Sequence, residues 1–94
     1  MAARVLGIIR EKIRSRDYVM TLHAEAEMDN DGLTIYDVES AILTGSIARR
    51  QTDRLTGERK FLLRGRTLEG TGSLVTAVKL GPTGKLVILT VYLE

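Results

Sequence analysis

Apolar side chains recur every three to four positions at the start of the chain. Between charged neighbours, residues 3 to 15 carry an apolar stripe formed by Val5, Leu6, Ile8, Ile9 and Ile13. This period predicts an amphipathic helix with one face against a sheet.

The next segment has shorter patterns and ends in turn-forming residues. Residues 18 to 22 fit either a strand fragment or a turn. Thr21 is a residue type favoured at the start of a helix, so a second helix is predicted over residues 22 to 30. It ends at residues 30 to 32, because Asn, Asp and Gly tolerate the left-handed backbone conformation.

A third helix is predicted over residues 34 to 44, where several signals agree. Thr34 caps its start, and the helix dipole favours Asp37 in the first turn. Gly45 is the stop signal at its end. The buried stripe follows helical spacing and consists of Ile35, Val38 and Ile42.

Four strands are predicted in the second half of the chain, at residues 46–52, 58–66, 73–80 and 85–93. Short glycine-containing turns separate them, which favours an antiparallel meander. The predicted fold class is α+β, with two or three N-terminal helices packed on a four-stranded antiparallel sheet. We expect the buried residues to include Ile35, Val38, Ile42, Phe61, Leu63, Ile88 and Val91.

The last predicted strand, LVILTVYL, is apolar on both of its alternating faces. Such a strand is interior, or a partner covers it. We expect an interior strand together with some self-association, and therefore a homo-oligomer.

Length and composition narrow the class of protein. A chain of 94 residues fits one domain, residues 1–94, and 44% hydrophobic residues suffice for a modest core. No apolar run approaches the length of a membrane span, no secretory signal is recognised and there is no cysteine, so a cytoplasmic location is expected. The acids lack a second His or a Cys at ligand spacing, so neither a metal nor a cofactor is predicted.

Charge is segregated along the chain, although the net charge is only +2. Residues 1–16 carry five bases and one acid, residues 17–40 carry seven acids and neither Lys nor Arg, and residues 49–66 carry seven bases and two acids. An acidic middle therefore lies between basic flanks, and the second basic segment is a candidate for polyanion binding.

The second predicted strand concentrates basic side chains on one face. Strand alternation puts Lys60, Arg64 and Arg66 on the same side. Together with Arg49 or Arg50 of the preceding strand they would bind a polynucleotide through its phosphates. A solvated face of a half-exposed sheet is the alternative interpretation.

Two further residues carry candidate chemistry. His23 is the only histidine, and near the start of a helix its imidazole is favoured in the neutral form. A neutral imidazole is a base that can take the proton of a 2′-hydroxyl, while Arg64 and Arg66 stabilise the developing charge. Tyr92 is a candidate acid or phosphate contact. The alternatives are a histidine that anchors its helix and a tyrosine whose ring is packed at the rim.

The sequence resembles domain of unknown function 4258 over residues 18–94. The residues that carry this resemblance are His23-Ala24, Met28, Gly32, Asp37-Val38-Glu39, Gly45, Gly65-Arg66 and Thr90-Val91-Tyr92. Members of that family are distantly similar to the RelE and BrnT group of small bacterial toxins, which cleave messenger RNA and are silenced by an antitoxin. The resemblance implies a RelE-like fold, ribonuclease activity, RNA as the substrate and an antitoxin-like protein partner.

One position departs from the family pattern, which has Arg where this chain has Glu27. This exchange removes a cation that would contact phosphate. Two functions therefore stay open, an RNA-directed toxin or a degenerate relative of one, and a non-catalytic module that binds a protein or associates with itself.

Overall fold

The computed structural model describes residues 2–70 and 72–94, and it contains three helices and five strands within them. In chain order these are α1 (Ala2–Arg14), β1 (Tyr18–Met20), α2 (Leu22–Asn30), α3 (Ile35–Thr44), β2 (Ser46–Thr52), β3 (Arg59–Arg66), β4 (Ser73–Leu80) and β5 (Leu86–Leu93). The α+β class is confirmed, and each predicted element is present to within a residue or two.

The strands form one mixed sheet of five, in the order β1-β5-β4-β3-β2. β2 to β5 pair antiparallel as the four-stranded prediction had them, whereas β1 pairs parallel with β5, with Val19 opposite Val87. The prediction of a four-stranded, purely antiparallel sheet was therefore wrong. Three residues are too few to show an alternating pattern, and the partner of β1 lies at the far end of the chain.

The core lies between the helices and one face of the sheet. α3 packs on β3 and β4, α2 packs on β5, and α1 packs mainly on α3. The buried cluster joins residues of all three helices to the helix-facing positions of β3, β4 and β5. Six of the seven residues predicted as core are buried, and the seventh, Ile35, is partly buried against the same cluster.

Both predicted helix starts are confirmed in detail. The Thr21 hydroxyl accepts the Ala24 amide at the start of α2. At α3 the Thr34 hydroxyl accepts the Asp37 amide, and the Asp37 carboxylate accepts the Thr34 amide in return. Asp37 also accepts the Leu68 amide at 3.0 Å, so it ties the β3–β4 turn to α3. These bonds hold the pKa of Asp37 below its usual value, and the Thr34 backbone contact is the strongest cause.

Two glycines let α3 approach the sheet closely. A side chain at Gly65 would overlap the Ala41 backbone, and one at Gly45 would overlap the carbonyl oxygens of Arg64 and Ala41. The backbone of Gly45 is extended, a conformation that any residue can adopt, so it is this close contact that requires glycine at position 45. The carbonyl of Gly45 in turn accepts a 2.6 Å hydrogen bond from the Arg10 guanidinium, which brings a cation to the negative end of the α3 dipole.

Candidate nucleic-acid interface

The side of the sheet away from the helices is open to solvent and carries most of the predicted binding residues. In β3, Phe61, Leu63 and Gly65 are buried against the helices, so Lys60, Arg64 and Arg66 project from the other side. We call this side the open sheet face. Its functional positions are Arg49, Lys60, Leu62, Arg64, Arg66, Val75, Ala77, Lys79 and Tyr92.

The five cations of this face divide into two groups. Arg64 makes a two-pronged ion pair with Glu94, through Nε to Oε1 at 2.7 Å and Nη2 to Oε2 at 2.8 Å. Lys79 pairs with Glu58 at 2.7 Å. The Glu94 hydrogen bonds raise the pKa of Arg64, and the Lys79 hydrogen bond lowers the pKa of Glu58. Both cations are therefore neutralised within the chain.

The other three cations, Arg49, Lys60 and Arg66, make no ion pair in the part of the chain that the structure describes. Arg49 lies opposite Leu62 in the β2–β3 ladder, so its side chain is on the same face. These three residues are the positive charge of the open sheet face that is available to a ligand.

Arg49 and Lys60 border a groove of about 220 Å³ with Gln51, Leu62 and Ala77. Two cations thus flank a partly apolar floor.

Tyr92 and Arg64 share a different part of the open sheet face. Both lie opposite Val75, one from each neighbouring strand. Val75 is fully buried and yet lies outside the helix-side core cluster, as expected for a residue covered by these two longer side chains. Tyr92 is itself 41% exposed, which leaves part of its ring for a ligand.

His23 makes its side-chain contact away from the open sheet face. It lies in the first turn of α2 with its side chain 68% exposed, and its Nε2 is 3.3 Å from Glu27 Oε1. No ion pair or hydrogen bond found in residues 2–70 and 72–94 links it to Arg64, Arg66 or Tyr92. The structure brings the two arginines and the tyrosine onto one face and places His23 beyond the β5 side of the sheet.

Arg50 lies on the other side from Arg49. It pairs opposite Phe61, whose side chain faces the helices, so Arg50 projects to the helix side of the sheet and is exposed there. Of the two arginines that the sequence offered, Arg49 and Arg50, only Arg49 therefore lies on the open sheet face.

Sequence reasoning did not foresee how α2 protects the sheet. Glu27 Oε1 accepts the Val91 amide at 3.1 Å, and Asp31 Oδ2 accepts the Leu93 amide at 3.3 Å. β1 pairs with β5 only as far as Ile88, so these carboxylates continue the ladder where β1 stops. We call this side, β1 with α2, the closed edge. The available signal was the i, i+4 spacing of Glu27 and Asp31, which puts Asp31, the cap residue at the end of α2, on the same side as Glu27.

Other site types find little support in the described parts of the chain. No group of three or more His, Cys, Asp or Glu side chains there is placed to hold a metal ion. None of the three helices has the length and apolar character needed to cross a membrane.

These observations define a small α+β protein. Helices cover one side of its sheet, and the other side is basic and faces solvent. The chain belongs to the family described as domain of unknown function (DUF4258), whose family model matches residues 20–93. Comparison with curated proteins gave no match, and neither did comparison with solved structures. The predicted family is confirmed, and the distant similarity to RelE and BrnT stays a prediction.

Several residues of the family pattern have structural positions here. Gly45 and Gly65 admit α3 to the sheet, and Asp37 caps α3. Glu39 accepts the Tyr18 hydroxyl and so connects α3 to β1. The Thr90 carbonyl accepts the hydroxyl of buried Thr76. Arg66 and Tyr92 differ from these, because both expose their side chains on the open sheet face.

Proposed function

We propose that this domain binds single-stranded RNA through its phosphate backbone on the open sheet face, as a degenerate relative of the RelE and BrnT RNA-directed toxins. The observation that carries the proposal is the set of three cations, Arg49, Lys60 and Arg66, that lie on one solvent-facing side of the sheet and make no ion pair with any described residue. Arginine forks suit phosphate oxygens, and cations on paired strands keep a fixed spacing.

The proposed binding is weakly sequence-specific. Phosphate contacts do not read base identity, and stacking on aromatic rings is the usual way in which a sheet selects single-stranded bases. Among the positions of the open sheet face, Tyr92 alone is aromatic. One partly exposed ring supports one stacked base, so affinity comes mainly from charge.

Binding without efficient cleavage is the form of the proposal that the contacts support. A general base must come within hydrogen-bond reach of the proton that it removes. His23 contacts Glu27 instead, and Arg64 is engaged by Glu94. The proposed role of His23 is therefore to anchor the first turn of α2. The catalytic set His23, Arg64, Arg66 and Tyr92 remains a prediction for any residual activity.

Salt-dependent RNA affinity tests the binding proposal. For a short fluorescein-labelled oligouridylate, three phosphate contacts predict a slope of log K against log salt of about −2, at about −0.7 per phosphate. The double variant R49A/R66A should reduce the magnitude of this slope by about 1.4. R50A/R54A removes the same charge from the same hairpin, with Arg50 on the helix side of the sheet and Arg54 in the β2–β3 turn, and is the matched control. Equal losses in the two variants would refute a localised site.

Cleavage is tested separately. We expect the wild-type chain to bind the oligonucleotide without cutting it and to be tolerated on expression in bacteria. Cleavage that H23A abolishes at an unchanged melting temperature would instead establish the toxin activity and a catalytic His23.

A protein-binding module is the second candidate function, and a different observation favours it. The outer edge of β2 pairs with no other strand of the described residues. The apolar groove of about 320 Å³ beside α1, lined by Val5, Ile8 and Leu80 among others, supports neither function because nothing in the described residues indicates its occupant.

A further inference from the structure

The sheet ends at β2 in an edge that no other described strand covers. β2 is seven residues long, and every residue from Arg49 to Thr52 is exposed. It is the last strand of the order β1-β5-β4-β3-β2 and is thus paired on one side only. We call its outer side the open edge.

Ladder geometry identifies the backbone groups that point outward. The Asp53 amide donates to the Glu58 carbonyl at 2.8 Å, which closes a hydrogen-bonded pair at the end of the β2–β3 hairpin. In an antiparallel ladder bonded and non-bonded pairs alternate, so Arg50 and Thr52 direct their amides and carbonyls away from β3. Elsewhere in the described chain no hydrogen bond reaches these groups. They form two consecutive sites for another strand.

The side chains around these sites are basic. Arg49 lies on one side of the sheet and Arg50 on the other, Lys60 is the β3 neighbour of Gln51, and Arg54 follows in the turn. None of the four is in an ion pair within the residues that the structure describes. A strand laid along the open edge would therefore have cations beside it on both sides of the sheet.

Charge decides between the candidate occupants. A second copy pairing β2 antiparallel with β2 would lay two copies of this basic segment side by side, and the register centred on Arg50 would set Arg50 opposite its own equivalent, where like charges destabilise strand pairing. The irregularity between Ile47 and Arg49 also disturbs one end of such a pair. An acidic extended segment meets the opposite situation, because carboxylates on its alternating side chains would face these cations.

We propose that the open edge of β2 docks an extended acidic peptide segment of a partner protein by strand addition. The backbone amides and carbonyls of Arg50 and Thr52 hold the main chain, and Arg49, Arg50 and Lys60 select acidic side chains. The proposal uses the edge of the sheet and does not depend on RNA binding at the open sheet face. Because Arg49 borders both, a docked acidic peptide lowers the affinity of the open sheet face for phosphate.

The test uses a fluorescein-labelled octapeptide of alternating Glu and Val with blocked ends, followed by fluorescence anisotropy on the whole chain. Thr52→Pro removes an outward amide without removing a ladder bond to β3, since proline is tolerated where the amide faces solvent. Thr52→Ala is the matched control and keeps that amide. We expect the peptide to bind T52A like the wild type and T52P about tenfold more weakly. Equal affinity for the two variants would overturn strand addition.

A second probe keeps the proposal testable should T52P fail to fold. The same peptide, N-methylated at every residue so that neither edge keeps its amide donors, should lose its binding to the wild type while retaining its charge. Binding of the methylated peptide at unchanged affinity would show attraction by charge alone and overturn the proposal, as would no binding of the parent peptide at low salt. An oligouridylate that loses affinity in T52P but not in T52A would assign the open edge to RNA and also overturn it.

Discussion

The two edges of the sheet are finished in opposite ways. At the closed edge, β1 pairs with β5 through Ile88, and the Glu27 and Asp31 carboxylates then take up the Val91 and Leu93 amides. At the open edge, no described strand or side chain bonds to the outward backbone groups of β2, and basic side chains surround them. A bare strand edge is an aggregation hazard that proteins counter with cover or with charge.

This difference separates charged groups that bind the protein's own backbone from charged groups that are available to the proposed ligands. At the closed edge, the Glu27 and Asp31 carboxylates accept amides of the protein's own backbone. Those carboxylate oxygens are therefore already engaged and are not available to a ligand. The open edge and the open sheet face keep cations, Arg49, Arg50, Lys60 and Arg66, that make no ion pair within the residues that the structure describes. The sequence position of the two charge types follows the same division, with acids in residues 17–40 and bases in residues 49–66.

The largest expected effect on the free energy of unfolding comes from truncating an isoleucine near one edge of the sheet, compared with truncating an isoleucine near the other. Ile88 of β5 is fully buried, whereas Ile47 of β2 is partly exposed. Ile88→Ala should reduce the free energy of unfolding by about 2 to 4 kcal/mol, because it leaves a cavity. Ile47→Ala should cost less than about 2 kcal/mol, since solvent already reaches the site. Urea unfolding measures both, and similar losses would contradict a stability concentrated on the β5 side.

Removing a carboxylate from the closed edge should have the next largest effect. Glu27→Ala leaves the Val91 amide without its acceptor, which should cost about 1 to 3 kcal/mol of unfolding free energy. Glu27→Gln retains an acceptor oxygen and should recover most of this loss. Glu25→Ala, on the exposed side of the same helix, should stay within about 0.5 kcal/mol of wild type. A Glu27→Ala melt that matched the control would remove the role assigned to this carboxylate.

The smallest effect is a pH dependence at the closed edge. Burial, with the hydrogen bond to Glu39 second, raises the pKa of Tyr18 to about 12 from 10.0. A folded pKa above the unfolded one means that the contribution to stability is complete below pH 10.0 and disappears as the pH rises towards 12. Tyr18→Phe should therefore flatten the alkaline fall in melting temperature. Tyr36→Phe, at an exposed tyrosine, is the control, and an equal effect of both would contradict the assignment.

Most of the fold could be predicted because its signals are local. Thr34 with Asp37, the apolar stripe of α3 and the alternation in β3 each act within a few residues, and each element is where these signals put it. β1 could be predicted only as one of two alternatives, a strand fragment or a turn, because it is short, and its parallel pairing depends on a partner about seventy residues away. The interior position of β5 was read correctly from its two apolar faces, and the homo-oligomer stays a prediction.

The candidate site was predictable only in part, because ion pairing depends on tertiary structure. Alternation alone placed Lys60, Arg64 and Arg66 on one face. It gave no indication that Glu94, thirty residues away, forms an ion pair with Arg64. The sequence showed only that Glu27 stands where the family pattern has Arg, which suggested the loss of a phosphate contact. The structural role of Glu27, to accept the Val91 amide, could not be predicted without the position of α2.

The most direct test of the central claim is the location of RNA on the folded chain. Amide chemical shifts of the labelled protein, recorded while a short oligouridylate is added, report every contacted strand. We predict changes at Arg49, at residues 60–66 and around Tyr92, with α2 unaffected. Changes centred on His23 and α2, or none at RNA concentrations that saturate the anisotropy signal, would contradict RNA binding at the open sheet face.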